Sequence, residues 1–257
     1  MFPDPFHLPR VVAPVAALLA LAACHAGTAP RPERTELVQG PGDSEPALDR
    51  RADGARIVGN VAPPPPHTDA EPITTVRVVR DGASIAAELD PSLDGAPVLH
   101  ARFVADGIVT IGADHVLRWH ARGRARELDR GAYGPISVAG SRIAYVRGAA
   151  PFLELARADV ESGTTVGLTQ GMAPTWSPAL TPDGGAIVFV SGVQGTPRFY
   201  RIDGDGAPRA LAPTQRTPGS PVAPRFDGEL LVFDDAYGRA WVDLEQGQIV
   251  RTEEVAR

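Results

Sequence analysis

The chain has 257 residues, 43% of them hydrophobic, so it can form a packed core and is not a disordered polymer. Its net charge of −6 is spread without long runs of one sign. This argues against nucleic acid as a partner, because phosphate binding requires a basic surface. The 27 Gly and 26 Pro residues favour many short turns and an all-β fold over long helices.

The N-terminal residues predict an export signal. Residues 11–23, "VVAPVAALLALAA", are too short to span a bilayer as a mature helix and are typical of the apolar part of a signal peptide. Leu21-Ala22-Ala23-Cys24 resembles the lipobox of bacterial lipoproteins. The resemblance implies that residues 1–23 are cleaved as a signal peptide and that Cys24 becomes a lipidated N-terminus. An ordinary signal peptide with a cysteine there by chance is the alternative.

The lipobox resemblance also implies a location. His25 follows Cys24 where lipoproteins kept at the inner membrane typically have Asp. We therefore expect the chain in the bacterial cell envelope, lipid-anchored to the outer membrane and facing the periplasm. Cys24 is the only cysteine, so no disulfide is expected within the folded domain.

Two segments are predicted to be linkers. Residues 24–51 are polar and rich in Pro, Gly and charge, and are expected to form a flexible tether in which "TELVQG" is the one piece with strand character. Residues 62–72, "APPPPHTDAEP", must be extended polyproline and cannot lie inside a sheet. This second segment is a loop or a spacer.

A repeat occupies the rest of the chain. Four segments place a glycine turn before an apolar strand: "ADGIVTIGAD", "AGSRIAYVRG", "DGGAIVFVSG" and "FDGELLVFDD". When Ile108, Ile143, Ile187 and Leu230 are taken as equivalent, the spacings are 35, 44 and 43 residues. Each segment is followed by a strand, a polar turn and another strand. Four strands per period of about 40 residues is typical of a β-propeller blade.

The predicted fold is therefore an all-β propeller of four to five four-stranded antiparallel blades over residues 52–255. Residues 96–255 give four clear blades, and residues 52–92 a degenerate first blade. The continuous apolar run Ile187-Val188-Phe189-Val190 indicates a strand covered on both faces. In contrast, "RAWVDLE" alternates, which predicts a half-exposed outer strand with Ala240 and Val242 on one side and Trp241 on the other.

One repeat resembles a known family. Pro174-Thr175-Trp176-Ser177-Pro178, then Pro182-Asp183-Gly184, "AIVFVS", "FYRIDGDG" and "PRALAP" resemble the TolB-like propeller repeat, with "ALT" interrupting the family's contiguous Trp-Ser-Pro-Asp-Gly turn. The other repeats keep mainly the turn glycine. The resemblance covers about residues 96–255. It implies a loop face at the channel mouth that receives a protein partner.

Candidate metal and charge sites are weak. His115 and His120 are five apart and would lie on opposite faces of a strand, so they cannot share a metal without another element. Asp203 and Asp205 lie in "DGDG", which lacks the further carboxylates of a calcium loop and reads as a turn. The run of alternating arginines in "ARGRARE" is typical of a solvated hairpin. We expect no metal and no cofactor.

The predicted function is a non-catalytic, lipid-anchored binding module for a protein or an envelope polymer. The alternative is a propeller hydrolase of lactonase or glycosidase type. However, the inner strands "PVLHARF", "GPISV", "APTWSP" and "SPVAPRF" offer one His and no carboxylate, and catalysis in a propeller channel needs several such groups. We therefore expect no enzyme activity.

The partner is expected on the face that carries the longer, more varied connections, because recognition is usually placed on variable loops of a rigid frame. The pieces on that face are "RGAYGP", "RGAAPF", "SGVQGTP", "TQRTPGSP" and "DDAYGR". Exposed Tyr and Arg beside charge are typical of contact surfaces. The candidate partner-binding residues are Tyr133, Asp234, Asp235, Tyr237 and Arg239. In the alternative, Tyr237 only folds over the edge of the last blade.

Overall fold

The computed structural model describes residues 47–61, 74–93, 95–149, 152–172, 174–192, 197–211, 224–235 and 238–254. The predicted signal peptide, Cys24 as the predicted lipid attachment site, most of the predicted tether and the predicted polyproline segment lie outside these residues. Within the described part of the chain, no helix is long and apolar enough to cross a membrane.

Twenty strands in the described residues form four antiparallel sheets. The first sheet contains β1 (Ala47–Arg50), β2 (Arg56–Val61), β3 (Thr74–Arg80), β4 (Ala83–Ser84), β5 (Ala96–Val104), β6 (Gly107–Gly112), β7 (Val116–Ala121) and β8 (Arg124–Arg130). The second contains β9 (Ala132–Ala139), β10 (Arg142–Ala149), β11 (Phe152–Asp159) and β12 (Thr165–Gly167).

The third and fourth sheets repeat the second. The third contains β13 (Thr175–Leu180), β14 (Ala186–Ser191), β15 (Arg198–Asp203) and β16 (Arg209–Ala210). The fourth contains β17 (Arg225–Asp227), β18 (Leu230–Asp235), β19 (Gly238–Asp243) and β20 (Gln248–Glu253). Chain order and spatial order coincide within each of these sheets, as in a meander of hairpins.

The predicted repeat is confirmed in the strands. Ile108, Ile143, Ile187 and Leu230 all lie at or next to the start of the second strand of a four-strand unit, namely β6, β10, β14 and β18. All six residues of β6 and of β14 are buried, as predicted for strands covered on both faces. Gly140, Gly184 and Gly228 have φ values of 59°, 67° and 59° in the turns before β10, β14 and β18, which is why glycine recurs there.

The first repeat differs from the expectation of separate blades. Strand β3 pairs with β4 and also with the start of β5, where Thr74 lies opposite Val98 and Val76 opposite Ala96. The first eight strands therefore form one continuous sheet. The connection from β4 to β5 contains a four-residue helix, α1 (Ala86–Leu89), and a 3-10 helix (Pro91–Leu93).

Strand β1 begins before the predicted boundary at residue 52, inside the segment expected to be tether. The physical reason is a set of contacts with β5. Arg102 Nη1 donates to the carbonyl of Leu48 at 2.6 Å, and the backbone N–H of Phe103 donates to Asp49 Oδ2 at 2.8 Å. Leu48 also packs against the core of the first sheet.

The apolar cores lie within and between the sheets. Tyr145, Phe189 and Phe233 are the largest side chains that are fully buried. The predicted alternation of β19 is wrong at Trp241, which is only 6% exposed. Its Nε1 donates to Asp227 Oδ2 at 3.1 Å, and the guanidinium of Arg251 lies 4.2 Å from its ring centroid. An indole can be buried in an outer strand when its N–H has a hydrogen-bond partner and a neighbouring side chain covers its face.

Candidate binding site at the variable end of the sheets

The two ends of the sheets differ in their connections. For strands β5 to β20, the turns from each first strand to the second and from each third strand to the fourth lie at one end and contain two to five residues. We call this the tight-turn end. At the other end, which we call the variable end, the connections range from one residue between β8 and β9 to 14 residues between β16 and β17. The predicted contrast between the two ends is present in the strand bounds.

Several of the predicted loops on the variable end are strands instead. Tyr133 is the second residue of β9, and only Gly131 separates β8 from β9. Asp234 and Asp235 end β18, and Arg239 lies in β19. The side chain of Asp235 and all of Tyr237, together with most of "SGVQGTP" and "TQRTPGSP", lie outside the described residues. The described candidates are therefore held by sheet hydrogen bonds rather than by long loops.

Tyr133 contacts the turn between β6 and β7. Its ring centroid lies 4.4 Å from that of His115, with the two planes at 35°. The backbone N–H of Ala132 donates to the carbonyl of His115 at 2.8 Å, and His115 Nδ1 lies 3.3 Å from the carbonyl of Ala132. Both rings are half-buried. These contacts join the first and second sheets at the variable end.

Asp234 and Arg239 form an ion pair across the β18–β19 hairpin. They lie opposite each other in the strand register, and Arg239 Nε donates to Asp234 Oδ1 at 2.7 Å. Arg225 Nη1 lies 3.4 Å from the other carboxylate oxygen. The carboxylate of Asp234 is therefore engaged by two arginines. Tyr133 lies in another sheet, so the predicted residues divide between two parts of the variable end.

A related set of ring-bearing residues was missed by the sequence analysis. His100 of β5, Tyr133 of β9 and Trp176 of β13 occupy the same register position on successive innermost strands, opposite Ile111, Val146 and Val190. All three side chains are half-buried. The sequence does carry a signal for two of these residues. Tyr133-Gly134-Pro135 and Trp176-Ser177-Pro178 share the order aromatic residue, small residue, proline, so the motif of the third repeat recurs in the second.

His100 reaches across to the next innermost strand. A Cβ atom at Gly134 would overlap the His100 imidazole, so a glycine is required where the ring lies. Burial lowers the pKa of His100 to about 4, and the neighbouring charge of Arg102 acts in the same direction. His100 is therefore neutral at pH 7 and packs as an uncharged ring between β5 and β9.

A second group that the sequence analysis missed is buried. His120 Nδ1 lies 2.8 Å from Asp90 Oδ2, and its Nε2 lies 2.9 Å from Thr110 Oγ1. Burial lowers the pKa of His120 more than Asp90 raises it. Burial also opposes ionisation of Asp90, but hydrogen bonds from His120 and Ser92 outweigh it and lower the pKa of the carboxyl group.

The Asp90–His120–Thr110 order is that of a carboxylate–imidazole–hydroxyl relay, in which the acid orients the imidazole toward the hydroxyl. Asp90 and His120 are each 6% exposed and Thr110 is 2% exposed, so the hydroxyl is covered by protein. This arrangement holds the β4–β5 connection against β6 and β7. It does not present a nucleophile to a substrate.

The remaining charged candidates are engaged in local contacts. Asp203 is paired with Arg201 at 2.6 Å and with Arg209 at 3.3 Å, and Asp205 with Arg157 at 2.6 Å. Among the described residues, no group of three or more His, Cys, Asp or Glu side chains could hold a metal ion.

The arginine run "ARGRARE" lies in the β7–β8 hairpin, in agreement with the prediction from the sequence. Arg122 pairs with Asp106 at 3.0 Å, while Arg124 is exposed. Arg126 stacks 4.9 Å from the Trp119 ring and donates to the carbonyl of Val160. The three arginines thus have different surroundings and do not form one site.

A shallow depression of about 280 Å³ lies at the tight-turn end, beside the β11–β12 turn. Its lining includes Arg142, Arg157 and Ser162. Arg142 donates to the carbonyl of Gly184 at 2.6 Å, and Arg157 is the arginine that binds Asp205. Both arginines already have partners within the protein, and these contacts link neighbouring sheets. The depression therefore does not present either guanidinium to a ligand.

The successive four-stranded antiparallel sheets define the class of the protein, which is an all-β protein of the β-propeller type. A scan of protein-family models found no match, and a search of curated proteins found none. Family membership therefore rests on the TolB-like repeat resemblance alone and stays a prediction.

Solved structures show the likeness of the fold. A chain of the complex of KlAtg21 with the coiled coil of AgAtg16 is 12% identical, with a TM-score of 0.53, over 84% of this chain and 73% of that one. A chain of the nidogen/laminin complex is 12% identical, with a TM-score of 0.52, over 82% and 81%. TolB from Acinetobacter baumannii is 19% identical, with a TM-score of 0.49, and the match covers 79% of this chain and 54% of TolB. The chain thus spans about half the length of that TolB.

Proposed function

We propose that the protein is a lipid-anchored, non-catalytic binding module of the bacterial cell envelope, and that the variable end of its sheets contacts a protein or envelope polymer. In this proposal Cys24 carries the lipid, residues 25–46 are the tether, and the propeller faces the periplasm from the outer membrane. The lipobox-like run "LAAC" supports the anchor. The fold supports the binding role, since a stiff frame with variable connections is a common recognition scaffold.

The observation that carries the binding role is the difference between the two ends of the sheets. Turns of two to five residues close one end, whereas connections of one to 14 residues vary at the other. Tyr133 and His115 form an aromatic pair at that variable end, and Asp234 with Arg239 supplies charge there. Tyr and Arg at contact surfaces contribute large area and directional hydrogen bonds.

The hydrolase alternative receives no support from the group that most resembles catalytic machinery. A general base must come within hydrogen-bond reach of a substrate. The Asp90–His120–Thr110 group joins the residue between α1 and the 3-10 helix to β7 and β6, and its hydroxyl is 2% exposed. The measurable consequence of this group is a contribution to the stability of the fold.

The anchor can be tested in cells that express the full chain. Cys24→Ser and Cys24→Ala should abolish incorporation of labelled palmitate and release the protein from the membrane fraction. A matched control is His25→Ala, which leaves the cysteine in place and should stay membrane-bound. A wild-type protein that is soluble and unlabelled although its leader has been removed would refute the anchor.

The contact surface needs a separate experiment. A photo-reactive residue at position 133 or 234 should crosslink to an envelope component, whereas the same residue at position 205, in a tight-turn hairpin, should not. A Tyr133→Ala, Asp234→Ala double variant that folds normally and binds the captured component with unchanged affinity would remove these residues from the contact surface. The companion variant Asp234→Ala, Tyr237→Ala tests the predicted residue that lies outside the described part of the chain.

A further inference from the structure

Phe152 is an unusual residue at the variable end. It is 84% exposed, whereas the other exposed large hydrophobic side chains among the described residues, Val166 and Val250, are 43% and 47% exposed. An exposed phenylalanine gains nothing from the fold of its own chain, because burial of apolar area is what an aromatic ring contributes to stability. Its ring area is therefore available to another molecule.

The backbone holds Phe152 firmly. Strands β10 and β11 pair without interruption over eight residues each, from Arg142 opposite Asp159 to Ala149 opposite Phe152. Gly148 has a φ of 117°, and a Cβ atom there would lie 2.6 Å from the carbonyl oxygen of Phe152. Phe152 is therefore held by the last pair of a regular strand ladder, which lowers the entropy that binding must overcome.

The charged side chains linked to Glu154, near Phe152, carry a net negative charge. Phe152 and Glu154 share one face of β11, since residues two apart on a strand point the same way. Arg147, opposite Glu154, donates to Glu154 Oε1 at 2.6 Å and to Asp129 Oδ2 at 3.2 Å. Tyr145 also donates to Asp129. One guanidinium thus serves two carboxylates, and the trio of Asp129, Arg147 and Glu154 has a net charge of −1.

This combination of an apolar ring and excess negative charge selects among partners. Anionic lipid headgroups and phosphate-bearing polymers are repelled by like charge. A protein surface with an apolar pocket bordered by Lys or Arg matches both features, because complementary potentials favour the correct partner and an aromatic anchor in a pocket supplies the affinity.

We propose that Phe152, with Glu154 on the same face of β11, is the anchor of a contact site for a protein partner that presents an apolar pocket bordered by a basic side chain. The proposal rests on the binding role proposed above and specifies its partner class. It assigns the central contact to the second sheet, which also contains Tyr133, rather than to the β18–β19 hairpin.

The test begins with the photo-reactive analogue p-benzoylphenylalanine at position 152 of the full-length chain, irradiated in intact cells. A crosslinked envelope protein is then purified, and its affinity is measured for the wild type, Phe152→Ser, Glu154→Gln and Val250→Ser. We expect Phe152→Ser to weaken binding at least tenfold. Glu154→Gln should weaken binding severalfold and make the affinity less dependent on salt, since it removes the negative charge that would face the basic side chain of the partner.

Val250→Ser is the matched control, since it removes an exposed apolar side chain from β20 and should leave the affinity unchanged. Equal melting temperatures for all variants show that the fold is intact. An affinity unaffected by Phe152→Ser, no crosslink from position 152, or a crosslink only to lipid, to polymer or to a second copy of this chain would each overturn the proposal. If position 133 or 234 still captures a component in those cases, the binding role stands and only the Phe152 site fails.

Discussion

The Nδ1 atom of His120 lies 2.8 Å from Oδ2 of Asp90, although 30 residues separate them in the chain. An ionised carboxylate only accepts hydrogen bonds, so Nδ1 carries the proton and Nε2 accepts from the hydroxyl of Thr110. The β4–β5 connection is further held by a hydrogen bond from the N–H of Gly123 to the carbonyl of Leu89 at 2.8 Å. These contacts fix a short helical segment against the first sheet.

Loss of the Asp90 carboxylate should destabilise the protein. Asp90→Ala leaves the buried Nδ1–H of His120 without its acceptor, and an unsatisfied buried donor costs about 1 to 3 kcal/mol. The measurement is the free energy of unfolding from urea denaturation. Asp106→Ala is the control, because its ion pair with Arg122 is exposed and should contribute less than about 1 kcal/mol. Equal changes in the free energy of unfolding would show that the buried pair contributes no more to stability than the exposed ion pair.

Stability should fall on acidification, and His100 should be one cause. Burial lowers the pKa of His100 from 6.5 to about 4, so the unfolded chain binds a proton at this residue between those pH values and the folded protein does not. The gap corresponds to roughly 3 kcal/mol, present above pH 6.5 and lost by about pH 4. His120 acts in the same direction. The melting temperature of His100→Gln should therefore depend less on pH than that of the wild type over this range, and parallel pH profiles would contradict the assignment.

Gly134 and His100 should be energetically coupled. Gly134→Ala places a methyl group inside the space of the imidazole, and overpacking of this kind costs about 1 to 3 kcal/mol. His100→Ala removes the obstruction. The double variant should be less destabilised than the sum of the two single variants, as measured by a double-mutant cycle. Additive effects would mean that some other contact requires glycine at position 134.

Two phenylalanines should differ in their effect on stability. Phe189 is 0% exposed and its ring lies 5.7 Å from that of Tyr200, so Phe189→Ala should cost roughly 3 to 5 kcal/mol. Phe152→Ala should leave the free energy of unfolding within about 0.5 kcal/mol, because its ring is 84% exposed. Chemical denaturation of both variants in parallel provides the comparison. A large loss for Phe152→Ala would show that its ring is covered in the folded protein.

The sequence predicts those parts of the fold that depend on local signals. Gly184 in its turn and the apolar run from Ile187 to Val190 lie within a few residues of each other, and together they indicate a tight turn and a buried strand. The Asp90–His120 pair has no such local signal, because it forms only when the β4–β5 connection folds back over β7. The sequence predicts a loop at Tyr133, in "RGAYGP", whereas pairing with β10 makes the segment a strand.

In the candidate site, too, only the features with a local sequence signal can be predicted. The antiparallel strand order within a repeat and the lengths of the connecting pieces are enough to predict which end of the strands varies. They could not indicate that Asp234 is shared by two arginines or that Phe152 is exposed, because both depend on side chains from different elements. His100, Tyr133 and Trp176 could have been aligned from the glycine or serine followed by proline in two of the three strands.

Thr74–Val76 pair with Ala96–Val98, and this pairing joins two sequence repeats in one sheet. The segment that opens cooperatively is therefore longer than one repeat. Since the first eight strands share one hydrogen-bond ladder, amides of β3 and β5 should exchange with solvent deuterium together, as a single foldon spanning two repeats. Among the described strands, the later four-stranded sheets have no such ladder to their neighbours, and we expect them to open one at a time. A truncation that removes the first repeat would therefore leave β5 with an unpaired edge, an open template for self-association.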